Sequence, residues 1–252
     1  VLSYSKLLVT DADGREIPSS MTATANGFML TYNDEKAVYP VTVDPLIINE
    51  EAKLNRVNTG TGDSFGNAVA IFGDSAVIGA YLDSDNGDSS GSAYIFTRNG
   101  SSWSQQAKLI ADDAANYDNF GRSVAISGDT VVIGADGDDD GAASSGSAYV
   151  FSRSGGLWSQ QVKLTAEDAA IAVYFGVSVA ISGDTVVIGA FRDSEAGPYS
   201  GSVYIYNRSG STWSQQAKLT ADDATSDEFF GYSVAISGES VVIGAFRDND
   251  AG

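Results

Sequence analysis

Acidic residues recur in this 252-residue chain at a spacing that could hold a hard cation. Asp83, Asp138, Asp193 and Asp248 share one column at 55-residue intervals, and Asp85, Asp140, Glu195 and Asp250 follow them by two positions. Carboxylates at i and i+2 in a glycine-containing loop can converge on one calcium ion, with backbone carbonyls and water completing a shell of roughly six to eight oxygens. Asp88 and Asp136 add copy-specific acids beside two of these loops. The run from Asp136 through Gly137 to Asp140 is the densest, because four carboxylates in five residues repel one another unless a cation or water screens them. The pattern lacks the distal glutamate of an EF-hand. The same residues also read as solvated turns, in which each aspartate accepts backbone N–H bonds. Calcium loops and turn caps are both compatible with the spacing.

Other chemistry is narrowly bounded. With no histidine and no cysteine, the chain has no imidazole base, no Ser-His-Asp or Cys-His constellation, no HExxH zinc site and no thiolate metal ligand. The balance of 33 acidic to 14 basic residues, net −19, argues against a nucleic-acid partner. No stretch approaches the ~20 consecutive apolar residues of a membrane helix, so membrane insertion is not expected. A carboxylate pair could serve a glycoside hydrolase. Such a pair should be unique, however, whereas these acids recur in every copy, and none sits in the apolar setting that raises a general acid's pKa. The chain therefore reads as a non-enzyme.

The elements that carry these loops are repeats. Phe65-Gly66, Phe120-Gly121, Phe175-Gly176 and Phe230-Gly231 recur every 55 residues, defining units 52–106, 107–161, 162–216 and an incomplete 217–252. Within a unit, β-branched runs at 123–127 and 130–135 flank Gly128-Asp129, a two-residue hairpin signal. Apolar character on both faces suits strands sandwiched between sheets. A third strand is expected at 146–153 and a fourth at 157–164, with Trp158, Val162 and Leu164 on one face and Ser159, Gln161 and Lys163 on the other. Four antiparallel strands per 55-residue unit make a propeller blade, so the fold class is all-β, a β-propeller fragment of four-stranded blades. The periodic Trp103, Trp158 and Trp213 read as packing between blades, and Arg98, Arg153 and Arg208 as structural ion pairs.

Residues 1–50 do not repeat and suggest a small antiparallel β module before the repeats of 51–252. The segment 51–54 reads as an orphan fourth strand able to complete the last blade. That blade lacks its third strand, which predicts that the natural protein continues with further blades.

The recurring pattern of FG, SVAIS, GD, TVVIGA, SGSAYVF and WSQQAKL resembles the FG-GAP repeat family, the blades of the integrin α-subunit propeller and of many secreted bacterial proteins. The resemblance implies an extracellular or cell-surface adhesion module that recognises protein or glycan through loops on one propeller face. The integrin-type calcium loop does not carry over to its usual position, where only tight turns such as Gly128-Asp129 stand. The residue after each Gly-Ala is Tyr81, Asp136, Phe191 or Phe246 rather than proline. A structural role, with copies associating through the incomplete last blade, is the alternative.

Overall fold

The computed structural model describes residues 2–4, 8–15, 17–24, 27–33, 35–36, 38, 42–44, 48–50, 52–56 and 62–248. The chain divides into two compact units, Val1–Asn55 and Arg56–Gly252. Among its described residues the first holds six short strands: β1 (Leu2–Tyr4), β2 (Leu8–Thr10), β3 (Ser19–Thr24), β4 (Gly27–Tyr32), β5 (Thr42–Asp44) and β6 (Ile48–Glu50). They pair as nested antiparallel hairpins, β3 with β4, β2 with β5 and β1 with β6. The expected turn at 11–14 is closed by Asp11, whose carboxylate accepts from Asp13 N, Arg15 N and the Arg15 guanidinium. The segment expected as an orphan strand is not one: residues 52–54 carry no strand assignment, and Glu51 lies outside the described residues.

The second unit is built of blades. The first comprises β7 (Val69–Phe72), β8 (Ser75–Ala80), β9 (Ser92–Asn99) and β10 (Ser102–Leu109). The second comprises β11 (Ser123–Ser127), β12 (Thr130–Ala135), β13 (Ser147–Ser154) and β14 (Leu157–Leu164). The third comprises β15 (Ser178–Ser182), β16 (Thr185–Ala190), β17 (Ser202–Ser209) and β18 (Thr212–Leu219). A hairpin of β19 (Phe230–Ser237) and β20 (Ser240–Ala245) follows. Each blade is a four-stranded antiparallel meander, and the ring is not closed among the described residues. A blade thus runs from the SVAIS strand to the end of the WSQQ strand, so the repeat boundary at 106/107 falls inside a strand.

Two cores lie between blades. Val77, Ile95 and Leu109 of the first blade meet Val124, Ile133, Tyr149 and Phe151 of the second. Val132, Val150 and Leu164 of the second meet Val179, Val186, Ile188 and Tyr204 of the third. The FG dipeptide locks neighbours together. Phe120 and Phe175 are fully buried, each edge-on to two aromatic rings of its own blade. Each makes a parallel bridge to the preceding blade, Phe120 to Gly91 and Phe175 to Gly146. Gly134 has no room for a side chain, since a Cβ there would lie 1.9 Å from the Gly176 carbonyl oxygen of the next blade. Gly176 itself has φ +89, and a Cβ there would lie 2.3 Å from Ser147 O.

One expectation about the fourth strand is corrected. Val150 pairs with Val162 but Phe151 with Gln160, which leaves Gln161 over as a β-bulge. The bulge reverses the side-chain alternation. Trp158 therefore faces the first blade with Tyr149 and Phe151, while Val162 and Leu164 face the third. Between blades, Trp158 Nε1 donates to Gln106 Oε1 at 3.1 Å, and Trp213 is buried in the core shared by the second and third blades.

Candidate functional site

The acidic column stands at the start of the loop between the second and third strands of each blade. Asp138 is buried. Its Oδ1 accepts from Asp140 N at 3.0 Å, and its Oδ2 lies 2.7 Å from both Tyr149 Oη and Lys163 Nζ. Lys163 also reaches Asp140 at 2.5 Å and Asp113 at 2.9 Å. The carboxylate oxygens of Asp113, Asp138 and Asp140 lie within 4.8 Å of one another, a spacing that could hold a metal ion. The Lys163 ammonium stands among them. A calcium ion here would have to displace a cation the chain supplies itself.

The arrangement repeats. Asp83 accepts from Asp85 N, Ser92 Oγ and Tyr94 Oη, and pairs with Lys108 at 3.0 Å, which also holds Asp85 at 2.6 Å. Asp193 accepts from Glu195 N and Tyr204 Oη and pairs with Lys218 at 2.8 Å, which also holds Glu195 at 2.6 Å and Asp168. Burial opposes the charge of Asp83, but hydrogen bonds from Asp85 N, Lys108, Ser92 and Tyr94 outweigh it and lower its pKa. Burial likewise works against Lys163 and Lys218, yet their carboxylate partners push both ammonium pKa values up. These lysines stay charged throughout the ordinary pH range.

The remaining expected acids do not join such a centre. Asp136 turns to Arg122 at 3.4 Å and Asn119 Nδ2 at 3.3 Å, so the dense run does not form one carboxylate cluster. Asp139 accepts from Ser144 N at 2.6 Å. The repulsion expected along 136–140 is relieved by aiming neighbouring carboxylates at different donors. Asp88 is exposed, Asp248 is exposed after β20, and Asp250 lies outside the described residues. Asp118 was not singled out by its sequence. It is buried, and burial foremost, helped by the charge of Asp138 and opposed by a hydrogen bond from Ala115 N, pushes its pKa up to about 6. The arginine column is structural as expected: Arg98, Arg153 and Arg208 pair with Asp74, Asp129 and Asp184 across the second and third strands.

A second cluster belongs to one place only. At the interface of the third blade with the hairpin β19–β20, Phe191, Arg192, Tyr199, Asp227, Phe229, Tyr232, Phe246 and Arg247 line a cavity of about 360 Å³. Phe191 packs against Tyr174, Phe229 and Tyr232, and Tyr232 stacks on Phe246 at 4.9 Å. The Arg192 guanidinium lies over Tyr174, Phe191 and Tyr199, and that of Arg247 over Phe229. Tyr174, Tyr199 and Phe229 have φ of +57, +54 and +59. The equivalent positions carry Ser64, Asn119, Ser89 and Ser144, also left-handed. Tyr117 of the second repeat is left-handed as well, at φ +69, so this conformation, which costs an L-residue about 1–2 kcal/mol, belongs to the repeat and not to one interface.

The profile of the FG-GAP repeat matches residues 48–96, 103–151, 158–206 and 213–252. The chain belongs to the FG-GAP repeat family. Among curated proteins no sequence matches it. One similar solved structure is the crystal structure of the computationally designed Ika4 protein, 15 % identical with a TM-score of 0.45, covering 74 % of this chain and 88 % of that one.

The FG-GAP signature accounts for the phenylalanine plugs and the glycine contacts between blades, but not for the aromatic and arginine cluster. Sequence reasoning missed two sets of residues. Lys108, Lys163 and Lys218 recur in register with the acids they neutralise, and that shared period was the available signal. The cluster at Arg192 carries the opposite signal, side chains that break the column pattern.

Proposed function

We propose that this FG-GAP chain is a non-enzymatic binding module of a secreted or cell-surface protein, recognising protein or glycan through loops at one blade interface. The observation that carries the reading is the cavity lined by Arg192, Tyr199 and Arg247, where the first two repeats have Leu82 and Gly137 in the arginine column and Ser89 and Ser144 in the tyrosine column. Exposed aromatics grouped with arginine are the usual anchors of recognition surfaces. In this reading the acidic loops are scaffold rather than calcium sites, each held together by its own lysine. The test is a screen of the chain over immobilised glycans and surface proteins, beside the triple variant Arg192→Ala, Tyr199→Ala, Tyr232→Ala. Binding lost in the variant supports the module and its site. Binding that survives, or turnover of any glycan, contradicts it.

Self-association is a second reading with its own observation. Val69 and Ile71 are 67 % and 56 % exposed where Val124 and Ile126 are 9 % and 8 %, and Val242 is 70 % exposed where Val187 is fully buried. These are the two opposite halves of the blade-to-blade contact, so one copy could stack on another head to tail. Sedimentation velocity over a hundredfold concentration range, roughly, tests this. A mass that rises with concentration supports stacking, and a constant monomer mass opposes it.

A further inference from the structure

We propose that the cavity between the third blade and the β19–β20 hairpin binds a sugar ring carrying a carboxylate, a uronic acid unit of an acidic polysaccharide. The proposal rests on the binding-module reading and names its ligand class.

The first argument is charge. Within 56–252 the cations Arg56, Arg98, Lys108, Arg122, Arg153, Lys163, Arg208 and Lys218 are all ion-paired. Arg192 and Arg247 have no carboxylate within ion-pair distance among the described residues, although the chain carries a net charge of −19. Two unpaired guanidinium groups lining one cavity of so acidic a protein present fork-shaped donors to an anion, and a carboxylate is the group that such forks match best.

The second argument is shape. Phe246 stacks on Tyr232, 24° from parallel, and an outer ring face of this stacked pair gives the cavity one flat apolar wall. A pyranose offers a flat face of C–H groups to such a wall and hydroxyls at its rim. Tyr199 and Asp227 stand at the same cavity as hydroxyl partners. The volume of about 360 Å³ lies within the range of small-ligand sites.

The third argument is that the site is confined to one interface. Where the third blade has Phe191, Arg192 and Tyr199, facing Tyr232, the second has Asp136, Gly137 and Ser144, facing Val177. That interface also has an aromatic, Tyr174 in the column of Phe229, but it has Gly137 in the column of Arg192, so blade packing alone does not require the arginine there. Asp227, exposed at the cavity, would repel a broad acidic protein partner. A single anionic ring can meet the arginines and turn a hydroxyl to Asp227.

The experiment is isothermal titration calorimetry of the full chain with oligomers of galacturonic and of glucuronic acid, with neutral galactose and glucose oligomers, and with a glutamate decapeptide. The expected result is binding of a uronic acid oligomer at least tenfold tighter than its neutral counterpart, lost by more than tenfold in Arg192→Ala and only partly restored in Arg192→Lys. Tyr232→Ala, which keeps both arginines, should weaken the same oligomer several-fold, and thermal unfolding of each variant checks that the fold is intact. Equal binding of acidic and neutral oligomers overturns the role of the arginines. Acidic binding unchanged in Arg192→Ala overturns the site. Arg192-dependent binding of the decapeptide alone, or of a neutral glycan or a protein from the screen, overturns the sugar-acid assignment while the binding module stands. Binding of no probe in either experiment overturns both.

Discussion

The Lys163 centre and the Arg192 cavity are both built from loops at the same end of the second and third strands, yet they use charge in opposite ways. At Lys163 a buried aspartate, two more carboxylates and a tyrosine hydroxyl close around one ammonium; the same arrangement recurs at Lys218, and Lys108 gathers Asp83 and Asp85 in the same way. At Arg192 the guanidinium lies on three aromatic faces, with no carboxylate within ion-pair distance among the described residues. What recurs is tied together by its own lysine within the blade. At the third blade's interface with the hairpin, two arginines have no carboxylate within ion-pair distance among the described residues, and the proposed site rests on them. In a chain of nearly identical repeats, departure from the pattern is therefore a better guide to recognition than the pattern.

That contrast can be broken by stability measurements. Phe175→Ala removes a fully buried plug between the second and third blades and should cost about 3–5 kcal/mol in urea unfolding. Lys163→Met should cost about 3 kcal/mol, because Asp138 stays buried without its counter-ion. Adding Asp138→Asn to that variant should recover part of the loss. A loss under about 0.5 kcal/mol for Lys163→Met would mean the centre does not hold the blade.

Asp118→Asn sharpens the comparison from the other side, since Asp118 is a buried acid without a lysine of its own. Its pKa is raised from 3.8 to about 6, so the folded state disfavours the ionised form. Below about pH 4 the group is protonated in both states and contributes no penalty; as pH rises through about 6 stability is lost. Asparagine keeps an acceptor for Ala115 N, so the variant should gain about 1–2 kcal/mol at pH 7 and nothing below pH 4. The next repeat already has an apolar residue there, the buried Val173. A gain that does not depend on pH would refute the assignment. Arg192→Ala should have the smallest effect on the fold, within about 0.5 kcal/mol of the parent by thermal unfolding.

Much of the fold was legible because each strand is bounded by turn residues repeated in register. The runs at 123–127, 130–135 and 157–164 are strands at those limits, and Gly128-Asp129 is the turn between the first two. The facing of Trp158 was not legible, because a bulge at Gln161 reverses alternation without any glycine or proline to announce it. The carboxylate pairs Asp83 with Asp85, Asp138 with Asp140, and Asp193 with Glu195 do converge on one point, as their spacing implied. The lysine at that point was hidden because it comes from the fourth strand, 25 residues after Asp138 in sequence. Asp136 went elsewhere because Arg122, supplied by the loop before β11, offered it a partner.

The most direct test of this division is the unfolding midpoint of the full chain with saturating calcium and with chelator, read beside Lys163→Met. If the lysines already fill the acidic loops, calcium leaves the midpoint of the parent chain unchanged, and it raises that of the variant, where Asp113, Asp138 and Asp140 are freed. A calcium-dependent rise in the parent chain itself would contradict the account, because the recurring loops would then be metal sites and not closed salt bridges.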